Sequence, residues 1–195
     1  RLLPPLLSRG LSGQMLYQGE DIAQMKQAEL TRIRGGEISM ILQDPMASLN
    51  PIFTIGNQLR EGLRLHATAK GSLEERAIAA LESVRIPSPE ARLHNHPHQM
   101  SGGMRQRVVG AISLTRAPRL LIADEPTTSL DVTIQYQFLE LLKDLQKRAG
   151  MAMLFITHDF GVVAKMCDRV AVMYAGQIVE QGPVREIFRR PRHWY

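Results

Sequence analysis

RLLIADEP (Arg119 to Pro126) and MAMLFITHD (Met151 to Asp159) decide how this chain folds. Each is a short, unbroken apolar run closed by acids, the look of a strand buried on both faces of a parallel sheet. Between them, DVTIQYQFLELLKDLQKRAG puts Ile134, Phe138, Leu141, Leu142 and Leu145 on one helical stripe. Lys147 and Arg148 fall in the last turn of that helix and Gly150 just beyond, as a helix end requires. Helix and strand alternate from Ser101 onward, so the chain is predicted to be α/β.

Working outward, RVAVMYAGQIVEQG (Arg169 to Gly182) reads as two strands joined at Ala175-Gly176. Upstream, Asp44 to Gln99 carries helical signals. DPMASLNP is a proline-bounded loop. SLEERAIAALESV holds a capping box, Ser72 with Glu75, and Leu73, Ala77, Leu81 and Val84 on one face. RIPSPEARLHNHPHQ contains three prolines and is predicted to be a linker outside the core. From Gly13 to Gln43 the signals are strand-like, in QMLYQGEDI and EISMILQ, with Gly35-Gly36 punctuating before the second.

The chain has 195 residues, enough for one sizeable core. No apolar run approaches the roughly 18–20 residues that cross a bilayer. The opening RLLPPLL is too short and proline-broken for a secretory apolar region. Net charge is +5, but lysine and arginine are scattered, which describes a solvated surface better than a nucleic-acid stripe. The single cysteine, Cys167, excludes an internal disulfide framework and is expected to be a structural thiol.

Ligands of open parallel sheets gather outside the carboxyl ends of the strands. Asp124, Glu125 and His158 fall there. An aspartate closing an apolar strand can hold Mg²⁺ on a nucleotide, and a carboxylate one residue on can take a proton from an attacking water. The same pair can also be a turn and a helix cap, a reading that Pro126 mildly favours. His158 is able to donate to a terminal phosphate. Asp131 would cap the long helix whatever the function. Gln43 follows a strand and can reach a metal or water with its amide.

PHQMSGGMRQRVVGA (Pro97 to Ala111) places Ser101-Gly102-Gly103 directly before a helix. Such a turn is either plain punctuation or a site where unshielded amides, backed by the helix dipole, meet a phosphate. Arg105 and Arg107 behind it read as helix-surface or packing residues.

The order of these features is more specific than any one. It resembles the nucleotide-binding subunit of ATP-binding cassette (ABC) transporters over essentially the whole chain. Gln43 matches the Q-loop, Ser101-Gly102-Gly103 the signature motif, Leu120 to Asp124 the Walker B strand and Glu125 the catalytic glutamate. Ser129-Leu130-Asp131 matches the D-loop and His158 the switch histidine. LQDPMASLNP, ADEPTTSLDVTIQ and THDFGVVAKMCDRVAVMYAGQIVEQG look like the bacterial oligopeptide, dipeptide and nickel importer group. Met104 replaces the superfamily's usual glutamine but suits this subgroup.

The resemblance implies a P-loop NTPase-like (RecA-like) core with a mainly parallel sheet, an antiparallel β subdomain and a helical insertion. It divides the chain into a core and β-subdomain remnant at 1–42, the Q-loop and helical subdomain at 43–100, and the remainder at 101–195. The last segment holds the signature helix, Walker B, D-loop, switch histidine and a C-terminal hairpin. ATP and Mg²⁺ are the implied cofactors. Glu125 and His158 would be catalytic, and Gln43, Ser101, Gly102, Gly103 and Asp131 would bind nucleotide. Asp124 and Gln43 would hold the metal.

The implied partners are a second ATPase subunit arranged head to tail (the same chain or another), integral-membrane permease subunits, and indirectly an extracytoplasmic solute-binding protein. The expected location is the cytoplasmic face of a bacterial inner membrane, with no nucleic-acid partner. One departure matters. G-x-x-x-x-G-K-[S/T], which supplies amides and a lysine to the phosphates, is missing, and no Gly-Lys pair occurs in these residues. The start, RLLPP, resembles the end of the helix that follows that motif, so the chain is expected to be truncated there and inactive alone. Two other readings stay open: a non-catalytic cassette lending its signature turn to a partner, and a nucleic-acid-associated ATPase.

Overall fold

The computed structural model describes residues 12–65, 71–128 and 130–195. The Arg1 to Pro5 stretch and Ser129, both of which figure in the resemblance, lie outside the described residues. The described chain opens with a hairpin of two short strands, β1 (Leu16–Tyr17) and β2 (Glu20–Asp21). Its turn, Gln18-Gly19, is left-handed at both residues, with φ of 52° and 86°. Then come α1 (Gln27–Ile33), β3 (Ile38–Ile41), α2 (Pro45–Ser48), α3 (Ile55–Arg64), α4 (Leu73–Ser83) and α5 (Pro89–Arg92). The rest is α6 (Gly102–Leu114), β4 (Leu120–Asp124), α7 (Val132–Ala149), β5 (Ala152–Ile156), α8 (Phe160–Met166), β6 (Arg169–Tyr174), β7 (Gln177–Pro183) and α9 (Val184–Arg189). None of these helices is long and apolar enough to cross a membrane.

Strands β3, β4 and β5 form a parallel sheet in that order. Its register sets Ile41 beside Ala123 and Asp124 beside Ile156, so the loops after all three strands leave from one edge. Strands β6 and β7 pair antiparallel around Ala175-Gly176, again left-handed at both positions, which matches the twist of a tight hairpin. The α/β class and the antiparallel strands agree with the sequence reading.

The core joins the sheet to the helical region. Ile41, Leu59, Leu81, Val108, Leu121, Phe138 and Leu142 are all fully buried members of it. Each such side chain contributes about 1.5–3 kcal/mol of burial free energy. The Ser72–Glu75 capping box forms as expected and starts α4, whose Ala77 and Leu81 face the core. Asp131 caps α7 by accepting from the amides of Thr133 and Ile134, and Gly150 ends it in the left-handed conformation.

Three expectations are corrected. First, residues 13–43 are not strand throughout, because α1 intervenes and buries Leu30. A single deeply buried apolar position in seven residues leaves no helical periodicity to read. Second, the proline-rich 85–99 stretch belongs to the core: Ile86 and Leu93 are buried, and the carbonyls of Leu93 and Asn95 accept from the first amides of α3. Its prolines stop long elements without stopping burial. Third, β5 is not buried on both faces. Among the described strands it lies at the sheet edge, with Leu154 and Ile156 exposed at 50% and 47%. An apolar run records what a strand is made for and not which neighbours cover it.

Candidate functional site

The register of the sheet builds the site. Gln43 lies two residues past Ile41 of β3, Glu125 two past Ala123 of β4, and His158 two past Ile156 of β5. Pairing Ile41 with Ala123 and Asp124 with Ile156 therefore brings three distant residues to one edge. Glu125 leaves the strand with φ at 43°, a left-handed conformation uncommon for a side-chain-bearing residue. Its amide still donates to the Ile156 carbonyl at 2.8 Å, so the ladder runs one residue beyond Asp124 while the chain turns. That turn presents the carboxylate, and Pro126 and Thr127 are buried behind it.

The Glu125 carboxylate is the hub. Gln43 Nε2 donates to Oε2 at 3.0 Å and Thr128 Oγ1 donates to the same oxygen at 2.9 Å. His158 Nδ1 meets Oε1 at 2.9 Å. A carboxylate has about four acceptor sites, so roughly one stays open for water. The His158 contact, as the largest cause, and the Thr128 hydroxyl next hold Glu125 below the usual carboxylate range.

His158 is well exposed, and its Nε2 points to no described partner. With Glu125 ionised and accepting from Nδ1–H, a neutral ring presents a lone pair at Nε2 and a protonated ring presents a second donor. Asp124 ends β4 beside this cluster, and its carboxylate makes no hydrogen bond among the described residues.

The lowered state of Glu125 carries a pH dependence. A depressed carboxyl contributes stability that is present above its unfolded value and lost as pH falls through its folded value. The contacts from Gln43, Thr128 and His158 are therefore expected to hold at neutral pH and to fail as Glu125 protonates, below the ordinary glutamate range. Carboxyl carbon NMR of Glu125 checks this: His158→Gln should move its titration upward toward that range.

Ser101, Gly102 and Gly103 belong to a second group. Ser101 is exposed and caps α6, its hydroxyl accepting from the Met104 amide at 3.3 Å. A Cβ at Gly102 would meet open space, whereas one at Gly103 would sit 2.6 Å from Cγ2 of Ile134. Gly103 thus has a packing reason of its own, against the first turn of the helix that Asp131 caps. Among the described residues, neither Ser101 nor Asp131 is hydrogen-bonded to Gln43, Glu125, Thr128 or His158.

Arg105 donates to the Met46 sulfur, while Arg107 donates to the Arg85 carbonyl and Gln137, so both are packing residues as expected. Burial raises the Cys167 thiol, which suits a structural role.

Two residues of the site escaped the sequence reading. Thr128 is one, visible only as a second threonine in PTT. Gln135 is the other. Its amide donates to Thr127 Oγ1 and to Asp159 Oδ2, both at 3.2 Å, so α7 is tied to the turn after Glu125 and to the residue after His158. Asp159 in turn caps α8 through the Gly161 and Val162 amides. Gln135 sits one helical turn past Asp131, and that position beside a cap was the available signal.

The residues present fit a hydrated magnesium ion. Gln43 spends its amide nitrogen on Glu125, which leaves Oε1 free, and Asp124 offers an uncommitted carboxylate. Mg²⁺ takes one or two such oxygens and fills its shell with water and phosphate. No group of three or more potential metal-ligating side chains occurs among the described residues, so a dedicated all-protein cage is not built here.

The model of one protein family, described as ABC transporter, matches residues 4–128. A probable peptide ABC transporter ATP-binding protein of Sinorhizobium fredii is 50% identical over 196 residues, covering 100% of this chain and 58% of that protein. The oligopeptide transport ATP-binding protein OppD of Bacillus subtilis is 56% identical over 184 residues, 94% of this chain and 51% of its own length. The chain spans about half the length of the curated relatives it matches. Among solved structures, a dimeric ATP-binding cassette in a post-hydrolysis state with ADP and phosphate superposes with a TM-score of 0.77 at 26% identity. It covers 89% of this chain and 74% of that one. A component of an ABC transporter complex from Clostridium perfringens gives 0.75 at 28% identity, over 92% and 69% of the two chains.

Proposed function

This chain belongs to the ABC transporter family, and on that premise we propose that it is the ATP-hydrolysing part of a subunit that energises import of peptides or a similar small solute. The observation that carries the reading is the gathering of Gln43, Thr128 and His158 on one ionised carboxylate at the carboxyl edge of the sheet. A carboxylate turned out by a left-handed backbone at the end of a strand is placed to take a proton from water, as Glu125 would.

Gln43 and Thr128 orient that carboxylate, and His158, when both ring nitrogens carry a proton, would donate from Nε2–H to a phosphate oxygen. Asp124 and the Gln43 carbonyl would hold Mg²⁺, which neutralises phosphate charge when bound. Ser101, with the amides at the start of α6, would receive a phosphate from a second cassette, and Asp131 would lie at the same contact. The division at residues 43 and 101 follows these roles.

The dimeric neighbour supports a partner cassette, which can be the same chain or another and would lie head to tail with this one. The relatives' names as transport proteins support permease subunits as further partners; the cytoplasmic face of a membrane and an indirectly coupled solute-binding protein complete the proposal. Phosphate contacts of the Gly-x-x-x-x-Gly-Lys type are not among these residues. The 195-residue polypeptide by itself is therefore expected to bind ATP weakly and not to hydrolyse it. A chimera carrying the P-loop strand and helix of a peptide-importer cassette ahead of residue 1 is expected to hydrolyse MgATP. Phosphate release from the two proteins checks this: Glu125-dependent turnover by the polypeptide alone defeats the inactivity, and a nucleotide-binding chimera without turnover defeats the function.

A further inference from the structure

The amino edge of the parallel sheet, opposite the Glu125 cluster, holds a feature that ATP hydrolysis does not use. A cavity of about 450 Å³ is lined by Thr31, Arg32, Arg34, Leu65 and Arg116, with three arginines and no acidic residue among the described residues. That volume lies within the range of small-molecule sites. Arg32 is in the last turn of α1 and Arg34 caps its end; β3 begins at Ile38. Arg116 follows α6 and precedes β4, so the three converge in front of two adjacent strands.

Gly36 makes the convergence possible. A Cβ there would stand 2.6 Å from the Arg32 carbonyl and 3.0 Å from Nη2 of Arg116. The glycine pair that reads as simple punctuation in the sequence thus lets a guanidinium pass against the backbone. Arg116 gains little in return from the protein. Nη1 reaches the Arg34 carbonyl at a long 3.5 Å, and Nε is buried with no partner among the described residues. Glu37, next along the chain, is engaged elsewhere: it pairs with Arg119 at 3.3 Å and accepts from the Tyr17 hydroxyl at 2.9 Å. Arg32 and Arg116 meet no acid among the described lining residues, an arrangement that an anion would complete, and planar guanidinium forks match phosphate oxygens well.

We propose that this cavity is a binding site for a phosphate group, separate from the nucleotide site at the opposite sheet edge. Leu65, exposed beside the arginines, gives the bound molecule an apolar wall. The phosphate therefore belongs to an organic molecule, either dissolved or presented as a lipid headgroup. The site does not depend on the hydrolytic reading, since no residue is shared.

The test titrates the full 195-residue chain with glycerol phosphate by NMR, and measures co-sedimentation with phosphatidylglycerol vesicles against neutral phosphatidylcholine vesicles. Saturable binding in at least one arm is expected, weakened about tenfold or more by Arg32→Gln and by Arg116→Gln. Arg32 is exposed, so its substitution leaves the fold intact, and far-UV circular dichroism verifies this. Binding in the soluble arm assigns the source to solution, and binding only to anionic vesicles assigns it to a headgroup. Either supports the site. No saturable binding in both arms, or binding unchanged in Arg32→Gln, overturns it.

Discussion

Replacing Glu125 with glutamine in the P-loop-bearing chimera is expected to lower ATP turnover by about 10²–10⁴-fold, the range for loss of a positioned general base. Nucleotide binding should persist. The amide keeps the size of the carboxylate and one acceptor oxygen, so Thr128 or Gln43 can still donate to it. What it cannot do is take a proton. Steady-state phosphate release separates the outcomes, together with binding of a fluorescent nucleotide. A fall in turnover with binding intact supports the role, whereas a change of less than about tenfold removes Glu125 from the chemistry. The neighbouring contacts make the effect specific, because Gln43, Thr128 and His158 all converge on this one group.

Gly103→Val is expected to destabilise the fold by about 1–3 kcal/mol, the usual cost of forcing extra carbon into a packed contact. The new Cβ would lie 2.6 Å from Cγ2 of Ile134, a branched methyl that cannot swing away. Gly102→Ala, with open space around it, should leave stability within about 0.5 kcal/mol of the parent. Ile134→Ala combined with Gly103→Val should recover most of the loss, because the clash then has no partner. Urea denaturation of the four proteins settles the matter, and equal costs at Gly102 and Gly103 would refute the assignment.

The contrast matters for function. Gly103 is what lets the start of α6 lie against the start of α7. Gly102 and the exposed Ser101 stay clear of that contact, where the proposed phosphate would reach them. In the sequence the two glycines are indistinguishable.

Legibility varied along the chain for physical reasons. Where one element carried its own local chemistry, the residues sufficed. The Ser72–Glu75 box, the Asp131 cap with Gly150 at the far end of α7, and the Ala175-Gly176 turn all form as read. Each depends on neighbours within a few positions. Where burial depended on distant partners, the reading failed. Helix α1 has one deeply buried residue and so no stripe, and the proline-rich stretch contributes Ile86 and Leu93 to the core. The site divides the same way. Its acids, glutamine and histidine could be named from strand ends, but Gln135 could not, because its amide acts across 24 positions on Asp159.

The residues alone determined the α/β class, the caps of α4 and α7, the Ala175-Gly176 turn and the chemical types available at each strand end. These follow from local conformational preference and from the periodicity of apolar side chains. Only the tertiary structure decided that Gln43, Glu125 and His158 share one hydrogen-bonded cluster, because the parallel register sets which strand ends coincide. It alone decided which glycine makes room for a neighbour and which strand lies at the edge. Contacts between residues far apart in the chain depend on how elements stack, and stacking is a property of the whole fold.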